Sequence, residues 1–312
     1  MFTRKSVVLA KIELSYGTDL VPTASANALL VKDLDIKPVS DKIVRDVLRT
    51  SLSPLPFARG TKYFEISFKT ELKGLGVWPT TTGEIWCLLR ACGLYEVYTV
   101  GPPKKLDFGV VSQNFESVTL YGYKDGIFHK FTGCVGDVKL SLEVGKIGEW
   151  QWKFWGMYHS PVDLDPGALT FSSAAPIVCL NGQITVDGYG PVLEKIEIAL
   201  NNKLALRKDL NSANGIIGMR ITGREPGGSF DPEAVLEATH DFWARWEAAQ
   251  AFGLNIGPLL PQGGADGSVQ VTGLGMQYED LSYGDRNGIL TYQVPFRLAS
   301  TAGDDEVTFR FT

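Results

Sequence analysis

The chain has 312 residues, of which 44% are hydrophobic and 21% are charged, and its formal net charge is −5. This composition is typical of a globular protein that buries a sizeable core without needing disulfides or metal ions. The acidic balance argues against a protein that clamps nucleic acid phosphates, because such binding requires a basic surface.

The beginning of the chain and its cysteines favour folding in a reducing cytoplasm. The opening "MFTRKSVVLAKIELSYG" contains only a short apolar run, so we expect neither a signal peptide nor a membrane anchor. The four cysteines form no C-x-x-C pair, and we interpret them as small buried hydrophobic side chains. They are Cys87, Cys92, Cys134 and Cys179.

Strand patterns dominate the chain. Apolar and polar residues alternate in "TKYFEISFKTEL", "DVKLSLEV", "EWQWKF", "ILTYQVPFRL" and "VTFRFT". A period of two with one apolar face predicts half-buried, mainly antiparallel sheet. The core-facing residues predicted for the first three segments are Phe64, Ile66 and Phe68, then Val138, Leu140 and Leu142, then Trp150, Trp152 and Phe154.

A first helix is predicted from about Gly83 to Cys92, in "GEIWCLLRAC". Thr81 and Glu84 have the spacing of a capping box, which satisfies backbone N–H groups at a helix start. Gly93 follows the last helical residue, where a left-handed conformation commonly ends a helix. This segment predicts one short helix flanking the sheet.

A second helix is predicted from about Pro232 to Phe252. Asp231 is a favourable N-cap, and proline suits the first helical position. Phe242, Trp246 and Ala249 follow the i, i+4, i+7 spacing of one helix face. We therefore expect these three side chains to pack together against a sheet.

Three landmarks occur twice in the same order. "LLVKDLDIKP" and "PVLEKIEIAL" both alternate acids with apolar residues, and they align with Leu30 on Val192. A Trp-containing helix ending in glycine comes next, at Trp86–Gly93 and at Trp246–Gly253, and a hairpin with a glycine turn follows. Any two amphipathic strands resemble each other by chance. Three landmarks in one order favour a duplication instead.

The duplication predicts two tandem domains. The stretch from Pro161 to Pro176 is long and lacks both the strand and the helix period, so it is the best candidate for a boundary. We place the first domain at residues 1–165 and the second at residues 166–312.

Residues that carry catalytic chemistry are scarce. The three histidines, His129, His159 and His240, are far apart in sequence, and no zinc-protease, nucleotide-binding or serine-hydrolase motif is present. His240, beside Asp241, is interpreted as a solvated residue of the second helix. The absence of motifs favours a protein that is not an enzyme and has no cofactor.

Two weaker patterns leave alternatives open. Asp163 and Asp165 in "PVDLDPG" could serve acid/base catalysis, although Asp-Pro-Gly more simply indicates a turn. Trp150 and Trp152 alternate as a core face, whereas Trp155 points to the opposite face and is a candidate exposed contact for a sugar or a single strand.

Several segments together resemble the tail tube proteins of long-tailed double-stranded DNA bacteriophages. They are "YGTDLVPTASANALLVKDLDIKPVSDKIVRDVLRTSLSPLP", "KYFEISFKTELKG", "WCLLRACGL", "VLEKIEIALNNKLALRKDLNSANGI" and "MRITGREPGGSFDPE". The resemblance covers nearly the whole chain, and its motifs are more specific as a set than singly.

The resemblance implies a fold and an assembly. Family members are β-sandwiches or partial barrels with one flanking helix, and their rings stack into a tube between capsid and tail tip. Neighbouring subunits join their strands into one inner sheet. Six single-domain subunits make a ring, so we expect a homotrimeric, pseudo-hexameric ring from two tandem tail-tube-like domains. A ring of six larger subunits is the alternative.

The same resemblance implies partners and a location. We expect the protein to bind copies of itself and the tail tip, terminator and length-measuring proteins. Phage DNA is expected to pass through the tube during ejection without specific binding. The protein would assemble in the host cytoplasm and function in the virion tail.

Two sets of assembly residues are predicted. Carboxylates that alternate with core residues are lumen candidates because they would repel DNA phosphates, although they could equally face outside solvent. These are Asp33, Asp35, Glu194 and Glu197. Apolar residues with charged neighbours in Val39–Gly60 and Asn201–Asn214 are ring-stacking candidates. These are Arg45, Val47, Leu48, Arg49, Leu206, Arg207, Lys208 and Leu210.

Two other functions remain open at this point. The tryptophans and the Gly/Pro-rich loops also suit a carbohydrate-binding β-sandwich module of a virion or secreted protein, with Trp155 as the contact. A hydrolase would use Asp163 or Asp165. The binding module predicts a monomer that loses glycan binding on Trp155→Ala, and the hydrolase predicts turnover that Asp163→Asn abolishes, whereas a tube subunit predicts concentration-dependent assembly.

Overall fold

The computed structural model describes residues 2, 4–74, 85–99, 104–261 and 267–312. This part of the chain consists mainly of β-strands with two short helices, which confirms the predicted mainly-β fold with minor α. The strands are β1 (Ser6–Ile12), β2 (Ala28–Leu29), β3 (Lys32–Ile43), β4 (Ala58–Glu71), β5 (Leu94–Thr99), β6 (Lys105–Val110), β7 (Val118–Lys124), β8 (Ile127–Glu143), β9 (Glu149–Tyr158), β10 (Val162–Asp163), β11 (Thr185–Val186), β12 (Leu193–Ala199), β13 (Asn202–Lys208), β14 (Ile216–Arg224), β15 (Gly227–Pro232), β16 (Phe252–Leu259), β17 (Val269–Tyr278), β18 (Ser282–Arg286), β19 (Ile289–Leu298) and β20 (Thr308–Phe311); the helices are α1 (Trp86–Ala91) and α2 (Phe242–Glu247).

Eight strands form one continuous antiparallel ladder, which we call the long ladder. Its order is β3–β4–β9–β8–β12–β15–β19–β18. β8 has 17 residues; its first part pairs with β7, and its last part pairs with β12. Residues 139–143 of β8 bond to residues 195–199 of β12, so the long ladder joins the two halves of the chain.

A second layer of strands covers one face of the long ladder. β2, β1, β7 and β10 connect to the first part of β8. β5, β6, β20, β17, β16 and β11 form the rest of this layer. Because β6 lies in the first half and β20 at the end of the second, this layer also joins the two halves.

The core lies between the two layers and contains a row of large aromatic rings. The nine residues predicted to face the core are all buried, as the strand alternation indicated. Trp152 stacks on Trp150 at 5.8 Å and on Phe154 at 6.2 Å between ring centroids. Phe309 of the second layer meets Trp150 edge-on at 5.2 Å. Each such ring contributes about 1.5–3 kcal/mol by burial, so the row is a main source of stability.

The first helix is shorter than predicted, and its core face is well defined. α1 contains Trp86–Ala91 and buries Leu88, Leu89 and Ala91. Gly93 follows with a φ of +83°, the left-handed conformation expected after a helix end. The predicted capping residues Thr81 and Glu84 lie outside the described residues.

The predicted extent of the second helix is wrong. α2 contains only Phe242–Glu247, and its N-cap is Asp241, whose carboxylate accepts the backbone N–H of Ala244 at 2.8 Å. Pro232 instead ends β15, which lies between β12 and β19. The carboxylate of Asp231 accepts backbone N–H groups of β12 rather than of a helix. Strand pairing on both sides of residues 227–232 therefore overrides the local helix-start pattern.

The predicted common face of that helix is also wrong. Phe242 is buried, whereas Trp246 is 40% exposed. Ala249 lies beyond the helix with a φ of +46°. His240, predicted to be solvated, is buried and stacks on Tyr189 with ring centroids 4.5 Å apart. Its place before the short helix, rather than inside a long one, turns the imidazole into the core.

The carboxylate of Glu13 is buried in the first half and fully hydrogen-bonded. It accepts the backbone N–H groups of Gly17 at 2.7 Å and Gly133 at 2.8 Å. It also accepts the hydroxyls of Ser117 at 2.5 Å and Thr119 at 2.8 Å. Glu13 thereby connects the end of β1, the loop after it and the middle of β8.

We predict that Glu13→Gln lowers the free energy of unfolding by about 2–4 kcal/mol. The amide replaces a charged acceptor and places an NH₂ donor against groups that are themselves donors. Urea denaturation measures the change, and Glu237→Gln at an exposed position is the control. Equal stabilities of the two variants would contradict a structural role for Glu13.

We predict that His240 makes stability pH-dependent between about pH 7.5 and 5.5. Burial lowers the pKa of His240 from its ordinary 6.5. As the pH falls through that value, the unfolded chain takes up a proton before the folded protein does, so the free energy of unfolding decreases.

His240→Phe, which keeps a ring beside Tyr189, should make this decrease smaller. Urea denaturation of both proteins at pH 7.5, 6.5 and 5.5 measures it. Burial also lowers the pKa of His129 and His159, so the variant should retain part of the dependence. Parallel curves for the two proteins would refute the assignment to His240.

Candidate assembly surfaces

The long ladder ends in two unpaired edges. Among the described residues, β3 pairs only with β4, and β18 pairs only with β19. Each edge leaves backbone N–H and C=O groups that another strand can bond. The two edges lie at opposite ends of the ladder, so the β18 edge of one copy can meet the β3 edge of the next in a head-to-tail contact.

A partly exposed aromatic cluster lies beside the β18 edge. Trp243 contacts Tyr283 of β18 at 5.8 Å and Trp246 at 6.3 Å between ring centroids. Tyr283 also packs on Tyr292 at 5.3 Å. Aromatic residues are enriched at the centres of protein interfaces. Sequence reasoning missed this cluster because it placed Trp246 on a buried helix face; the i, i+3 spacing of the two tryptophans was the available signal.

Paired charges lie on part of the face of the long ladder opposite the core. Glu197 lies 2.6 Å from Lys139 and 2.8 Å from Lys195. Although partial burial opposes it, hydrogen bonds from both lysines hold the pKa of Glu197 below its ordinary value. Asp33 lies 2.8 Å from Lys69, whose hydrogen bond lowers the pKa of Asp33. Lysines therefore balance these acids, so this face is not a purely acidic surface.

The structure brings the four lumen candidates together only in pairs. Asp33 and Asp35 lie on the edge strand β3, whereas Glu194 and Glu197 lie on β12. Four strand spacings of about 4.8 Å separate β3 from β12, so the two pairs are about 19 Å apart. Glu194 lies 3.9 Å from Arg286 at the start of a bulge in β12, where the pairing register shifts.

A hairpin projects from the first half, and we call residues 39–60 the first arm. β3 and β4 pair as far as Ile43 and Ala58. Beyond them the chain exposes several large apolar side chains, of which Leu48 and Leu52 are fully exposed. The stacking candidates Arg45, Val47, Leu48 and Arg49 all lie in this exposed part.

A second hairpin leaves the second half, and we call residues 201–224 the second arm. β13 and β14 form its two-stranded sheet. Its tip exposes the stacking candidates Arg207, Lys208 and Leu210, and Leu210 is fully exposed. The candidate Leu206 is half-buried in an apolar cluster against the first half.

Hydrogen bonds anchor the base of the second arm to the first half of its own chain. The side-chain amide of Asn202 donates to the carbonyl oxygens of Cys92 at 2.7 Å and Gly136 at 3.0 Å. Its backbone N–H donates to the Asp137 carboxylate at 3.1 Å. Near the tip, Asn214 donates to the carbonyl oxygen of Tyr158 at 3.2 Å. These bonds fix the arm over β8 and β9.

Apolar contacts and the hydroxyl of one tyrosine complete the attachment of the second arm. Tyr16 donates to the carbonyl oxygen of Gly133 at 2.9 Å and accepts the backbone N–H of Met219 at 2.6 Å. Burial raises the pKa of Tyr16 to about 12. The arm's Leu204, Leu206, Ile216 and Met219 share a cluster with Tyr63, Val135, Trp155 and Met157 of the first half.

The residues suggested for alternative functions are placed unfavourably for them. Trp150 and Trp152 are buried in the core, and Trp155 is half-buried in the cluster with the second arm, so its predicted exposure is wrong. The carboxylate of Asp165 accepts the backbone N–H of Gly167 at 2.8 Å, as expected for a turn.

Two kinds of structural feature are not found in the described ranges. Across these ranges, no group of three or more His, Cys, Asp or Glu side chains could hold a metal ion. In the same part of the chain, no helix is long and apolar enough to cross a membrane.

Comparison with protein families identifies a match over nearly the whole chain. A family model described as phage tail tube protein matches residues 3–306. No curated protein matched the chain.

We predict that Tyr16→Phe loosens the second arm without unfolding the protein. The change leaves the Met219 N–H without its acceptor, which costs about 1–3 kcal/mol. Hydrogen exchange read by mass spectrometry should become faster in residues 202–208 and 216–224. The exposed Tyr95→Phe is the control, and unchanged exchange in the arm would show that Tyr16 does not hold it.

Proposed function

Because the chain belongs to the phage tail tube protein family, we propose that its copies close into rings and that these rings stack into the conduit through which DNA leaves the virion. The role is structural and involves no catalysis. The partners are other copies of the chain within and between rings, and the tail tip, terminator and length-measuring proteins at the ends and during assembly.

The strand order supports a duplication of one domain, with units at residues 1–165 and 166–312. The first half of the long ladder runs β3–β4–β9–β8, and the second half runs β12–β15–β19–β18. In both halves, a bulge shifts the pairing near the start of the first strand. In both halves an arm follows the first strand, and a short helix follows the second ladder strand. The halves therefore share topology as well as sequence landmarks.

The contact between the two halves supports the ring proposal most directly, because it is itself a pairing of two strand edges. The last ladder strand of the first half, β8, pairs with the first strand of the second half, β12. By the same relation, β18 of one copy would pair with β3 of the next. A head-to-tail contact that repeats by a fixed rotation closes a ring.

Three copies give a ring of suitable width. Each copy supplies the eight ladder strands described above, so three copies supply 24. At about 4.8 Å per strand, a closed sheet of this size has a diameter of about 37 Å, and strand tilt increases it. DNA can pass such an opening. A trimer with six repeats is therefore our proposal for the ring.

The part of the long-ladder face opposite the core that the second arm leaves uncovered would line the lumen. The candidates Asp33, Asp35, Glu194 and Glu197 would then share that wall with lysines such as Lys139 and Lys195. A wall of paired charges offers phosphates few free cations to bind. DNA could thus move along it without specific binding.

The exposed tips of the arms would contact the next ring along the axis. Leu48 in the first tip and Leu210 in the second occupy equivalent positions of the sequence repeat, and both are fully exposed. Basic residues lie near both leucines in the sequence, namely Arg45 and Arg49 in one tip and Arg207 and Lys208 in the other. Equivalent tips in both halves suit a stacking contact repeated six times around a trimer.

Electron microscopy of the purified protein at increasing concentration tests the proposal. We expect hollow rings or tubes with threefold symmetry and sixfold-like modulation in averaged end-on views. True sixfold rings would keep the function but refute the trimer. Compact monomers that do not assemble even with tail-tip seeds would contradict the function.

We predict that Leu48→Asp and Leu210→Asp separate stacking from ring closure. A carboxylate at either tip removes an apolar contact and places a charge in the interface. Each variant should form rings but few tubes in electron micrographs. Leu236→Asp, at an exposed leucine outside both arms, is the control and should form tubes normally. Normal tubes from the arm variants would contradict the stacking role.

A further inference from the structure

The two arms are equivalent in topology, but they differ in what covers them. The base of the second arm lies on the first half of its own chain, where its apolar side chains are covered. The base of the first arm instead exposes Val44 and Phe57. We call the surface under the second arm, formed by Tyr63, Val135, Trp155 and Met157, its seat. If the halves are copies, the corresponding surface lies on the second half.

Strand pairing locates that surface. The alignment that places Leu30 on Val192 also places Ile36 on Ile198. In the first half, Ile36 pairs with Ile66 on the next strand, and Ile66 pairs with Phe154 on the strand after it. In the second half, Ile198 pairs with Gly228, and Gly228 pairs with Phe296. The residues that follow the two phenylalanines, Trp155 and Arg297, are therefore equivalent.

The equivalent surface is an open groove. Its volume is about 560 Å³. Lys139 and Glu197 lie at its β8–β12 end, and Glu225, Glu279 and Arg297 supply the other charges of its walls. Where the first half has Trp155 under the second arm, the groove has the exposed Arg297. A polar, partly acidic groove thus takes the place of an apolar seat.

The two arms also differ in the charge of equivalent side chains, and this difference matches the difference between the two surfaces. Leu204 of the second arm pairs with Ile221, and Lys42 of the first arm pairs with Arg59. The same alignment places Lys42 on Leu204, so the apolar pair of one arm corresponds to a cationic pair in the other. Lys42 and Arg59 flank the ring of Phe57 at 4.9 and 5.5 Å.

We propose that the base of the first arm of one copy lies in the groove on the second half of the adjacent copy in the same ring. This inference rests on the proposed ring. The occupant is residues 40–44 and 57–59 of a second copy, with Phe57 between two cations that face Glu225 and Glu279. This contact between copies corresponds to the contact that the second arm makes with the first half of its own chain, with charged side chains in place of apolar ones.

The main support for the proposal is that the two arms and the two surfaces differ in complementary ways. A cationic arm would lose hydration against the apolar side chains around Trp155, and an apolar arm would gain little in the charged groove. Each arm is therefore specific for one seat, which prevents the two halves from docking in the wrong order.

Photo-cross-linking from position 57 tests the contact. Phe57 is replaced by the photoreactive aromatic benzoylphenylalanine, and light- and heavy-nitrogen-labelled copies are mixed before assembly. We expect mixed-isotope cross-links to peptides that contain residues 225–229, 277–279 or 297. The same replacement at the exposed Tyr95 is the control and should not give these products.

The outcomes separate this inference from the proposed function. Rings or tubes in electron micrographs with cross-links from position 57 to another surface, or within one chain only, would overturn the docking proposal alone. Failure to form rings would contradict the proposed function and this inference together.

Charge reversal provides a second, independent measurement. Lys42→Glu with Arg59→Glu should raise the concentration needed for assembly about tenfold or more, because two attractive contacts become repulsive. Adding Glu225→Lys and Glu279→Lys to the same chain should restore assembly, since the arm of one copy meets the groove of the next. Circular dichroism checks that each variant is folded. Loss of assembly that the groove reversals do not restore would refute the proposed pairing.

Discussion

Every β-sheet that does not close on itself leaves backbone hydrogen-bonding groups at its edges, and this constraint governs the whole molecule. The long ladder contains eight strands, and both of its ends remain unpaired among the described residues of one copy. At its middle, β8 and β12 show how such an edge is satisfied, because there the two halves bond directly. A chain with this arrangement has a physical reason to assemble head to tail.

The division of the ladder into two faces follows from side-chain alternation. The core face carries Trp150, Trp152 and Phe154 in one row, and the second layer buries it. The opposite face carries charged side chains paired across strands, such as Lys139 with Glu197. One strand set therefore provides both the stability of the subunit and a polar surface.

The two arms share a topology but differ in how they are attached. Both leave the ladder after the first strand of a half, but only the second arm is attached within its own chain, by Asn202, Tyr16 and an apolar cluster. The first arm keeps a cation–aromatic face around Phe57. In the proposed ring, this difference would let each arm recognise a different surface.

The sequence by itself determined the strands and their core faces, because alternation with a period of two leaves only one way to bury the apolar side chains. It also indicated the family, and the turn at Asp165. It could not determine the length of α2, since β15 pairs with two strands that are distant in sequence and Pro232 belongs to it. Long-range pairing overrode a favourable local helix start.

The environments of His240, Trp155 and the carboxylates were decided only by the tertiary structure. Whether a side chain on a predicted outer face meets water, an arm or a lysine depends on segments far along the chain. The β8–β12 contact, the attachment of the second arm and the aromatic cluster at the β18 edge likewise arise from contacts between distant segments. Local sequence patterns specify which face of a strand is apolar, but not which strand or arm will lie against it.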